Sequence, residues 1–464
     1  MSERSRKSNR SLKLLIGILS LLLAALLVIA VIIKPQDSGS TLQDGTAPAT
    51  TAAPTTEPTT EPTTIPTEPP VTKIATATIG STGDVLLHDR VIAGGLDSAT
   101  GEYNYDNIFT YFTNYVMASD YAVANMEGTL CGADNGYNYS GYPCFNAPDA
   151  IVDAAKKAGF DMLLTANNHS YDTRTKGFMR TQQIIADRAL DYIGTIPTPE
   201  TKNYLVKDVN GIQIGMTCYT YETGKNSKGN KTLNGIGLSA EDSPLINSFD
   251  YQDLNAFYTQ LSGEMDAMRS EGAECIVLFI HWGDEYNTTP NSWQTKIAQA
   301  LCDLGVDVIV GGHAHVVQPV ELLTSTVDPE KTTLCLYSMG NAVSNIRKSS
   351  TRPVYTEDGM LFSFTLAKYS DGSVILESAD ILSTWVNRYT SSTTGREVFA
   401  IIPLDPEIPD WKTAFNLTDS TLAQAEASLE RSREILAEGL EKANAYYAQK
   451  QTEHELAIGV TPAP

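Results

Sequence analysis

Short apolar runs alternate with helically spaced apolar residues along most of the chain, and this alternation predicts layered α/β structure. Residues 74–79 alternate apolar and polar side chains as a strand does. Apolar residues at helical spacing end at Gly159, and the run 160–164 then predicts the next strand. The pattern recurs where Ser292 caps a predicted helix that precedes the strand-like run 306–310. Strand–helix–strand units of this length indicate parallel strands with right-handed crossovers.

The pattern changes toward the C-terminus. Residues 361–366 and 374–378 predict antiparallel strands, and the Ala-, Glu- and Leu-rich stretch 420–454 predicts a helix whose charged residues face solvent. We therefore expect a layered α/β domain over residues 74–390, built as a sheet sandwich flanked by helices. A C-terminal extension containing a helix is expected over residues 391–464.

The first 73 residues predict a membrane anchor and a spacer. Residues 14–33 carry no charge and are numerous enough to span a bilayer as a helix. The basic tail 1–13 places this end in the cytoplasm and the rest of the chain outside the cell, as a single-pass membrane protein. Residues 34–73 are rich in Thr and Pro and predict a disordered, extended linker. A cleaved signal peptide is the alternative, but the apolar run is longer than a usual signal core.

Composition restricts the ligands of this domain. The chain has 464 residues, 42% of them hydrophobic, and a formal net charge of −22. Such a charge repels nucleic acid and anionic lipid headgroups, so no nucleic-acid partner is expected. An acidic substrate would require a local cationic centre, which bound metal ions supply.

The six cysteines all lie in the part of the chain expected outside the cell, where disulfides form readily. Cys131 and Cys144 flank a polar loop and are expected to form a disulfide. The remaining cysteines lie in apolar runs and are expected to be buried thiols: Cys218, Cys275, Cys302 and Cys335.

Histidines are scarce, and five of the six follow strand-like runs. These five are His88, His169, His281, His313 and His315. The carboxyl ends of parallel strands form the ligand crevice of open α/β sheets, so the imidazoles are expected to gather there. Gathered imidazoles indicate a metal site.

Oxygen ligands follow the same strands. Asp84, Glu127 and Asn168 add two carboxylates and an amide to the imidazoles. This mixture suits zinc, manganese or iron better than calcium or magnesium. Because the ligands outnumber what one ion needs, we expect two ions about 3.5–4 Å apart. Each motif alone also fits an ordinary turn or a buried histidine, but their joint occurrence favours the metal site.

Taken in order, these motifs resemble the CapA family of poly-γ-glutamate capsule biosynthesis, a branch of the calcineurin-like metallophosphoesterases. The resemblance covers roughly residues 74–368. The matching segments are Gly83-Asp84-Val85-Leu86-Leu87, Ala124-Asn125-Met126-Glu127, Ala166-Asn167-Asn168-His169 with Asp172, His281-Trp282-Gly283-Asp284-Glu285, Gly312-His313-Ala314-His315 and Tyr337-Ser338-Met339-Gly340-Asn341.

The resemblance implies roles for individual residues. The implied ligands of two divalent transition-metal ions, Mn, Zn or Fe, are Asp84, Glu127, Asn168, His281, His313 and His315. His169, braced by Asp172, would face the substrate and protonate a leaving oxygen.

Two positions depart from the usual metallophosphoesterase pattern. Leu86 stands where a histidine is usual, with His88 two residues further on, and Glu127 replaces the usual aspartate motif. The first metal site is therefore expected to be short of ligands. Whether His88 substitutes for the histidine missing at position 86 stays open.

The resemblance implies a membrane-anchored, extracytoplasmic protein of capsule or cell-surface polymer biosynthesis with a metal-dependent hydrolase-type site. Its implied partners are an anionic surface polymer or a phosphoester substrate, the membrane, and a capsule-synthesis complex. Two alternatives stay open. One is a non-catalytic module that tethers or exports the polymer, and the other is a surface metallophosphoesterase unrelated to capsule.

Overall fold

The computed structural model describes residues 71–134, 136–347, 355–392 and 394–458. The predicted anchor 14–33 and nearly all of the linker 34–73 lie outside these ranges, so both stay predictions. None of the helices within the described ranges combines the length and apolar character needed to cross a membrane.

The regular elements follow one another along the chain in an alternating order. The strands are β1 Lys73–Val85, β2 Tyr121–Met126, β3 Met162–Leu164, β4 Asp191–Ile193, β5 Tyr204–Val209, β6 Ile212–Tyr221, β7 Gly224–Lys225, β8 Lys231–Leu233, β9 Ile236–Gly237, β10 Ser248–Phe249, β11 Cys275–His281, β12 Val308–Gly312, β13 Val320–Thr324, β14 Thr332–Leu336, β15 Asn341–Val343, β16 Asp358–Tyr369, β17 Val374–Thr390 and β18 Glu397–Pro403. The helices are α1 Asp89–Gly95, α2 Asp106–Phe109, α3 Thr113–Val116, α4 Ala150–Ala158, α5 Arg174–Asp187, α6 Leu254–Ser270, α7 Ser292–Leu304, α8 Trp411–Ala414 and α9 Asp419–Ala457.

The first sheet has β1 near its middle. Its order is β18-β17-β16-β1-β2-β3-β4, and the short β15 also pairs with β1. Strands β1 to β4 are parallel neighbours, whereas β16 runs antiparallel to β1 and β17 antiparallel to β16. The carboxyl ends of β1, β2 and β3 therefore lie at one edge of this sheet.

The second sheet has the order β10-β6-β11-β12-β14-β13, with β5 paired to β6. Strands β6, β11, β12 and β14 are parallel, and every residue of β11 and β12 is buried. Helix α7 begins with a capping box in which Asn291, rather than the predicted Ser292, is the cap, and it ends at Gly305 with a φ of 91°. Parallel β11 and β12 thus end side by side at His281 and Gly312.

The two sheets pack face to face, with helices on the outside. Apolar residues of both sheets share one cluster, for example Ile79 and Val123 with Val277 and Val308. The outer face of the first sheet packs against α1, α2 and α4, and that of the second packs against α6 and α7. The prediction of layered α/β structure with flanking helices is confirmed.

The C-terminal segment completes this architecture. The predicted antiparallel strands and the predicted helix are confirmed as β16, β17 and α9. Residues 397–403 of the expected extension form β18 within the first sheet. Helix α9 packs on β13 and β17 and places Leu436, Ala443 and Tyr447 in the core between the sheets.

The described cysteines all keep their thiols. The disulfide predicted between Cys131 and Cys144 is therefore absent from this structure. The other prediction is confirmed, because the four cysteines of the apolar runs are buried.

Candidate metal centre

Side chains from the edges of both sheets converge in one place. Asp84 is the next-to-last residue of β1, and Glu127 directly follows β2. His281 ends β11, and His313 and His315 follow β12. They form two groups, Asp84–Glu127–His315 and Glu127–His281–His313, and within each group the ligand atoms lie within 4.8 Å of one another. Glu127 belongs to both groups, so its carboxylate stands where one residue can bridge two cations.

Glu127 points its two oxygens at different histidines. Oε1 lies 3.5 Å from His281 Nε2, and Oε2 lies 3.9 Å from His315 Nδ1. On the other side, Asp84 Oδ2 lies 3.2 Å from the same nitrogen of His315. These separations leave room for a cation between the partners in each group.

The site contains buried polar atoms without partners. Within the described parts of the chain, Asp84 Oδ2, both carboxylate oxygens of Glu127 and His313 Nδ1 are buried and accept or donate no hydrogen bond. A buried carboxylate without a hydrogen bond costs free energy that a coordinated cation would offset. The donor set therefore fits a metal ion with mixed oxygen and nitrogen ligands.

Burial and neighbouring charges shift the pKa values of three of these side chains. Burial works to lower the pKa of His315, but the charges of Glu127 and Asp84 raise it to about 10. Burial works to raise the pKa of Asp84, but the contact with His315 and the charge of His281 lower it. Burial and the charges of His281 and His315 hold the pKa of His313 well below its usual range. Because metal ligands bind deprotonated, a metal ion bound by His315 would compete with protonation of this ring.

The loop after β12 is strained where it presents the histidines. His313 and His315 have φ values of 90° and 55°, a region that costs non-glycine residues of order 1–3 kcal/mol each. Gly311 lets the strand approach closely, because a Cβ there would lie 2.0 Å from the carbonyl oxygen of Tyr337. Both imidazoles are nevertheless buried and directed into the site.

Amide side chains orient the ligands. Asn168 Oδ1 lies 2.8 Å from His281 Nε2, so the structure brings this predicted ligand to the second group. Asn125 donates to Asp84 Oδ1 at 2.7 Å, and Asn167 donates to Asn125 Oδ1 at 3.3 Å. Asn125 and Asn167 lie in the motifs that the sequence showed, but no role was expected for either residue.

Asn341 is a further residue of the site for which the sequence motifs predicted no role. Its Oδ1 lies 3.0 Å from His315 Nδ1, while its Nδ2 donates to the carbonyl oxygens of His315 and Thr356. Those two bonds fix the amide so that the oxygen faces the first group. Leu86, in contrast, is a buried apolar side chain and offers no ligand atom. Asn341 thus offers an oxygen to the group that lacks a histidine at position 86.

His88 lies beside the centre and outside both ligand groups. Its Nδ1 accepts the backbone N–H of Asn345 at 3.3 Å, and its ring meets Phe145 edge-on at 5.1 Å. Burial lowers the pKa of His88 to about 4. In this structure His88 therefore does not substitute for the ligand missing at Leu86.

His169 and Asp172 form the predicted pair. His169 Nδ1 lies 2.7 Å from Asp172 Oδ2, and that oxygen also accepts the N–H of Phe145. Asn234 donates to Asp172 Oδ1 at 2.9 Å. Burial works to lower the pKa of His169, but the bond to Asp172 and the charges of Asp172 and Glu127 raise it. These contacts hold the imidazole ring of His169 at its Nδ1 side.

Fold and site together define a layered α/β protein with a buried carboxylate–histidine centre at the edges of two sheets. The family model described as bacterial capsule synthesis protein PGA_cap matches residues 78–346, more than half of the chain. The chain belongs to this family, and the predicted family is confirmed.

Two curated relatives support the same family. The chain is 28% identical over 301 residues to "PGA biosynthesis protein CapA" of Bacillus subtilis (strain 168), covering 64% of this chain and 70% of the relative. It is 29% identical over 304 residues to "Capsule biosynthesis protein CapA" of Bacillus anthracis, covering 65% and 66%. The matches thus span about two thirds of the relatives' own length.

Solved structures give weaker likenesses. The NAD nucleotidase NadN of Haemophilus influenzae matches at a TM-score of 0.40 and 11% identity, over 81% of this chain and 68% of the other. The sulfate thiohydrolase SoxB of Thermus thermophilus matches at 0.36 and 14%, over 77% and 60%. TM-scores below 0.5 do not establish a common fold or function.

Proposed function

We propose that this protein acts in capsule or cell-surface polymer biosynthesis through a two-metal, hydrolase-type site of the metallophosphoesterase kind. The observation that supports the proposal most is the shared position of Glu127, a buried carboxylate with two unpartnered oxygens, in both ligand groups.

Each proposed ion has its own ligands besides Glu127. Asp84, His315 and Asn341 would hold the first ion, and Asn168, His281 and His313 the second. The mixture of imidazole, carboxylate and amide suits manganese, zinc or iron. When bound, such ions supply positive charge at a phosphoryl group and favour attack by water.

The chain's own residues would bind and protonate the substrate. Asp172 and Asn234 hold the His169 ring by its Nδ1 side, which directs Nε2 to the substrate. A proton on Nε2 can then pass to the leaving oxygen, a step that contributes about 10²–10⁴-fold in comparable sites.

The proposed location is the outer face of the cell membrane, with the N-terminus in the cytoplasm. The uncharged run 14–33 and the basic residues of 1–13 support this placement. An anionic surface polymer or a phosphoester is the proposed substrate, and a capsule-synthesis complex is the proposed partner. The printed names of the two Bacillus relatives support the connection to capsule.

Metal content tests the proposal. Full-length protein purified in detergent without chelator is expected to contain close to two transition-metal ions per chain by elemental analysis. The His313→Ala/His315→Ala double variant removes a ligand from each group and is expected to lose most of this metal. His454→Ala, on α9, is the matched control and should retain it. Wild-type protein that contains no metal as purified and binds none when metal is added would contradict the proposal.

A non-catalytic module that tethers or exports the polymer is the second candidate. It is favoured by Leu86, which gives the first ion one imidazole fewer than the usual pattern. Polymer binding that survives in the double variant, together with no phosphoester turnover in the manganese-loaded wild type, would favour this candidate over the hydrolase.

A further inference from the structure

Three guanidinium groups lie close together and share two carboxylates. Arg347 Nη1 lies 3.5 Å from Glu357, Arg388 Nε lies 3.4 Å from Glu397, and Arg90 Nη1 lies 3.2 Å from the same Glu397. Among the described residues, these ion pairs therefore join three positive charges to two negative charges. In a chain with a formal net charge of −22, such a local excess of positive charge is unusual.

Arg347 is incompletely hydrogen-bonded. Its Nη1 donates to the carbonyl oxygen of Val386 at 3.1 Å. Its Nε and Nη2 are buried, and nothing in the described part of the chain accepts a hydrogen bond from them. Burial lowers the pKa of Arg347, and the nearby charge of Arg388 lowers it further. Buried charged donors without an acceptor are costly, and an oxyanion would satisfy them.

The register of the first sheet places this cluster at the edge where the metal centre lies. Thr82 of β1 is paired with Leu361 of β16, and Asp358 at the start of β16 is paired with Trp385 of β17. Arg388 therefore lies beyond the start of β16, on the side where β1 ends at the centre.

A short chain of contacts connects the cluster to the proposed ligands. Arg388 Nη1 donates to Asn345 Oδ1 at 3.0 Å, and the N–H of Asn345 donates to His88 Nδ1. Asn345 follows β15, whose Asn341 contacts His315. Because His88 Nδ1 accepts a hydrogen bond, the ring hydrogen is on Nε2, which adds another donor beside the cluster.

We propose that Arg347 and Arg388 form an oxyanion subsite that holds a carboxylate or phosphate group of the substrate next to the metal centre. The planar guanidinium fork binds both groups through two parallel hydrogen bonds, which a lysine cannot do. This subsite adds a substrate contact to the proposed function. It rests on that function in one respect, since the bound group is taken to belong to the substrate of the metal centre.

Anion binding to metal-free protein tests the subsite apart from the metals. Full-length protein treated with EDTA is titrated calorimetrically with inorganic phosphate and, separately, with a γ-linked glutamate oligomer. Arg388→Gln, at the exposed end of the cluster, is expected to weaken binding of the preferred anion about tenfold or more. Arg433→Gln, on α9, is the matched control and should bind as the wild type does.

The outcomes separate the sources of the oxyanion. Arginine-dependent binding of phosphate alone identifies a phosphate subsite, and binding of the glutamate oligomer alone identifies a carboxylate subsite. Arg347→Lys keeps the charge and should bind more weakly than the wild type but better than Arg347→Gln, provided that both variants show the wild-type unfolding midpoint in urea.

Two results overturn the proposal. One is a metal-free wild type that binds neither anion, and the other is an Arg388→Gln variant that binds with wild-type affinity. Failure of the proposed function is distinguishable, since wild-type protein that takes up no metal can still show arginine-dependent anion binding. Metal uptake by Arg388→Gln should equal that of the wild type, because Arg388 is in neither ligand group.

Discussion

Glu127 connects the two halves of the candidate centre. One oxygen faces His281 and the other faces His315, and neither accepts a hydrogen bond within the described residues. A glutamine at this position has nearly the same shape but carries no charge and offers one oxygen instead of two. Loss of metal from such a variant would therefore report on the bridging carboxylate and not on packing.

Glu127→Gln is expected to lower metal affinity by about 100-fold or more, since loss of residues that only orient a ligand already costs about 10–100-fold. Titration of EDTA-treated protein with manganese measures the change. Glu264→Gln is a matched control, because Glu264 is also a buried carboxylate but is bonded to Tyr219 and Gln260. Equal metal affinity in the Glu127 variant and the wild type would contradict the bridging role.

Asp172→Asn tests the proton donor. Loss of the carboxylate beside His169 Nδ1 removes the interaction that raises the pKa of the ring, and we expect phosphoester turnover to fall by about 10²–10⁴-fold. Metal content should not change, since Asp172 belongs to neither ligand group. Asp153→Asn, at an exposed position of α4, is the control. A parallel loss of metal and turnover would instead indicate a structural role.

Sequence reasoning found the residues that end apolar strands. Asp84, Glu127 and the three histidines each follow such a run, and parallel strands bring their ends together. It gave no role to Asn125 or Asn341, because their contacts join segments distant in sequence and leave no local periodicity. Whether His88 is a metal ligand could not be decided from the sequence, since only the fold shows that its Nδ1 accepts a hydrogen bond from a backbone amide.

The tertiary contacts of helix α9 could not be predicted from its helical sequence pattern. Its composition predicted the helix correctly, but its charged residues were expected in solvent. Arg431 instead forms an ion pair with the buried Asp358 at 2.8 Å, to which Ser428 also donates. The helix also approaches β13 closely, because a Cβ on Gly439 would lie 1.8 Å from the carbonyl oxygen of Val320.

Two helical glycines give opposite predictions for the same substitution. Gly263→Ala in α6 meets no atom within 4 Å and should raise the free energy of unfolding by about 1 kcal/mol, the difference in helix propensity. Gly439→Ala gives the same gain in helix propensity, but its Cβ forces α9 away from β13. This substitution should therefore lower the free energy of unfolding. Urea denaturation measures both. A stabilised Gly439→Ala protein would show that the contact between α9 and β13 is loose.

At the scale of the whole molecule, the candidate centre joins the two sheets. The first sheet supplies Asp84 and Glu127, and the second supplies His281 and the loop with His313 and His315. Anything that binds this centre in the folded state and not in the unfolded chain therefore stabilises the packing of both sheets.

Manganese is expected to raise the unfolding temperature of EDTA-treated protein. At a free concentration 100 times the dissociation constant, binding of one ion contributes about 2.7 kcal/mol. Differential scanning calorimetry measures the shift, and calcium serves as the comparison because it prefers all-oxygen sites. An equal shift in the His313→Ala/His315→Ala variant would mean that manganese binds elsewhere.

The central position of β1 has a consequence for biosynthesis. Its antiparallel partner β16 is made about 280 residues later, so this pairing closes a very long loop. At ribosomal rates of about 5–20 residues per second, β1 emerges tens of seconds before that partner exists. Throughout this interval one side of a core strand lacks its neighbour, and the nascent chain depends on chaperones or delayed collapse to avoid aggregation.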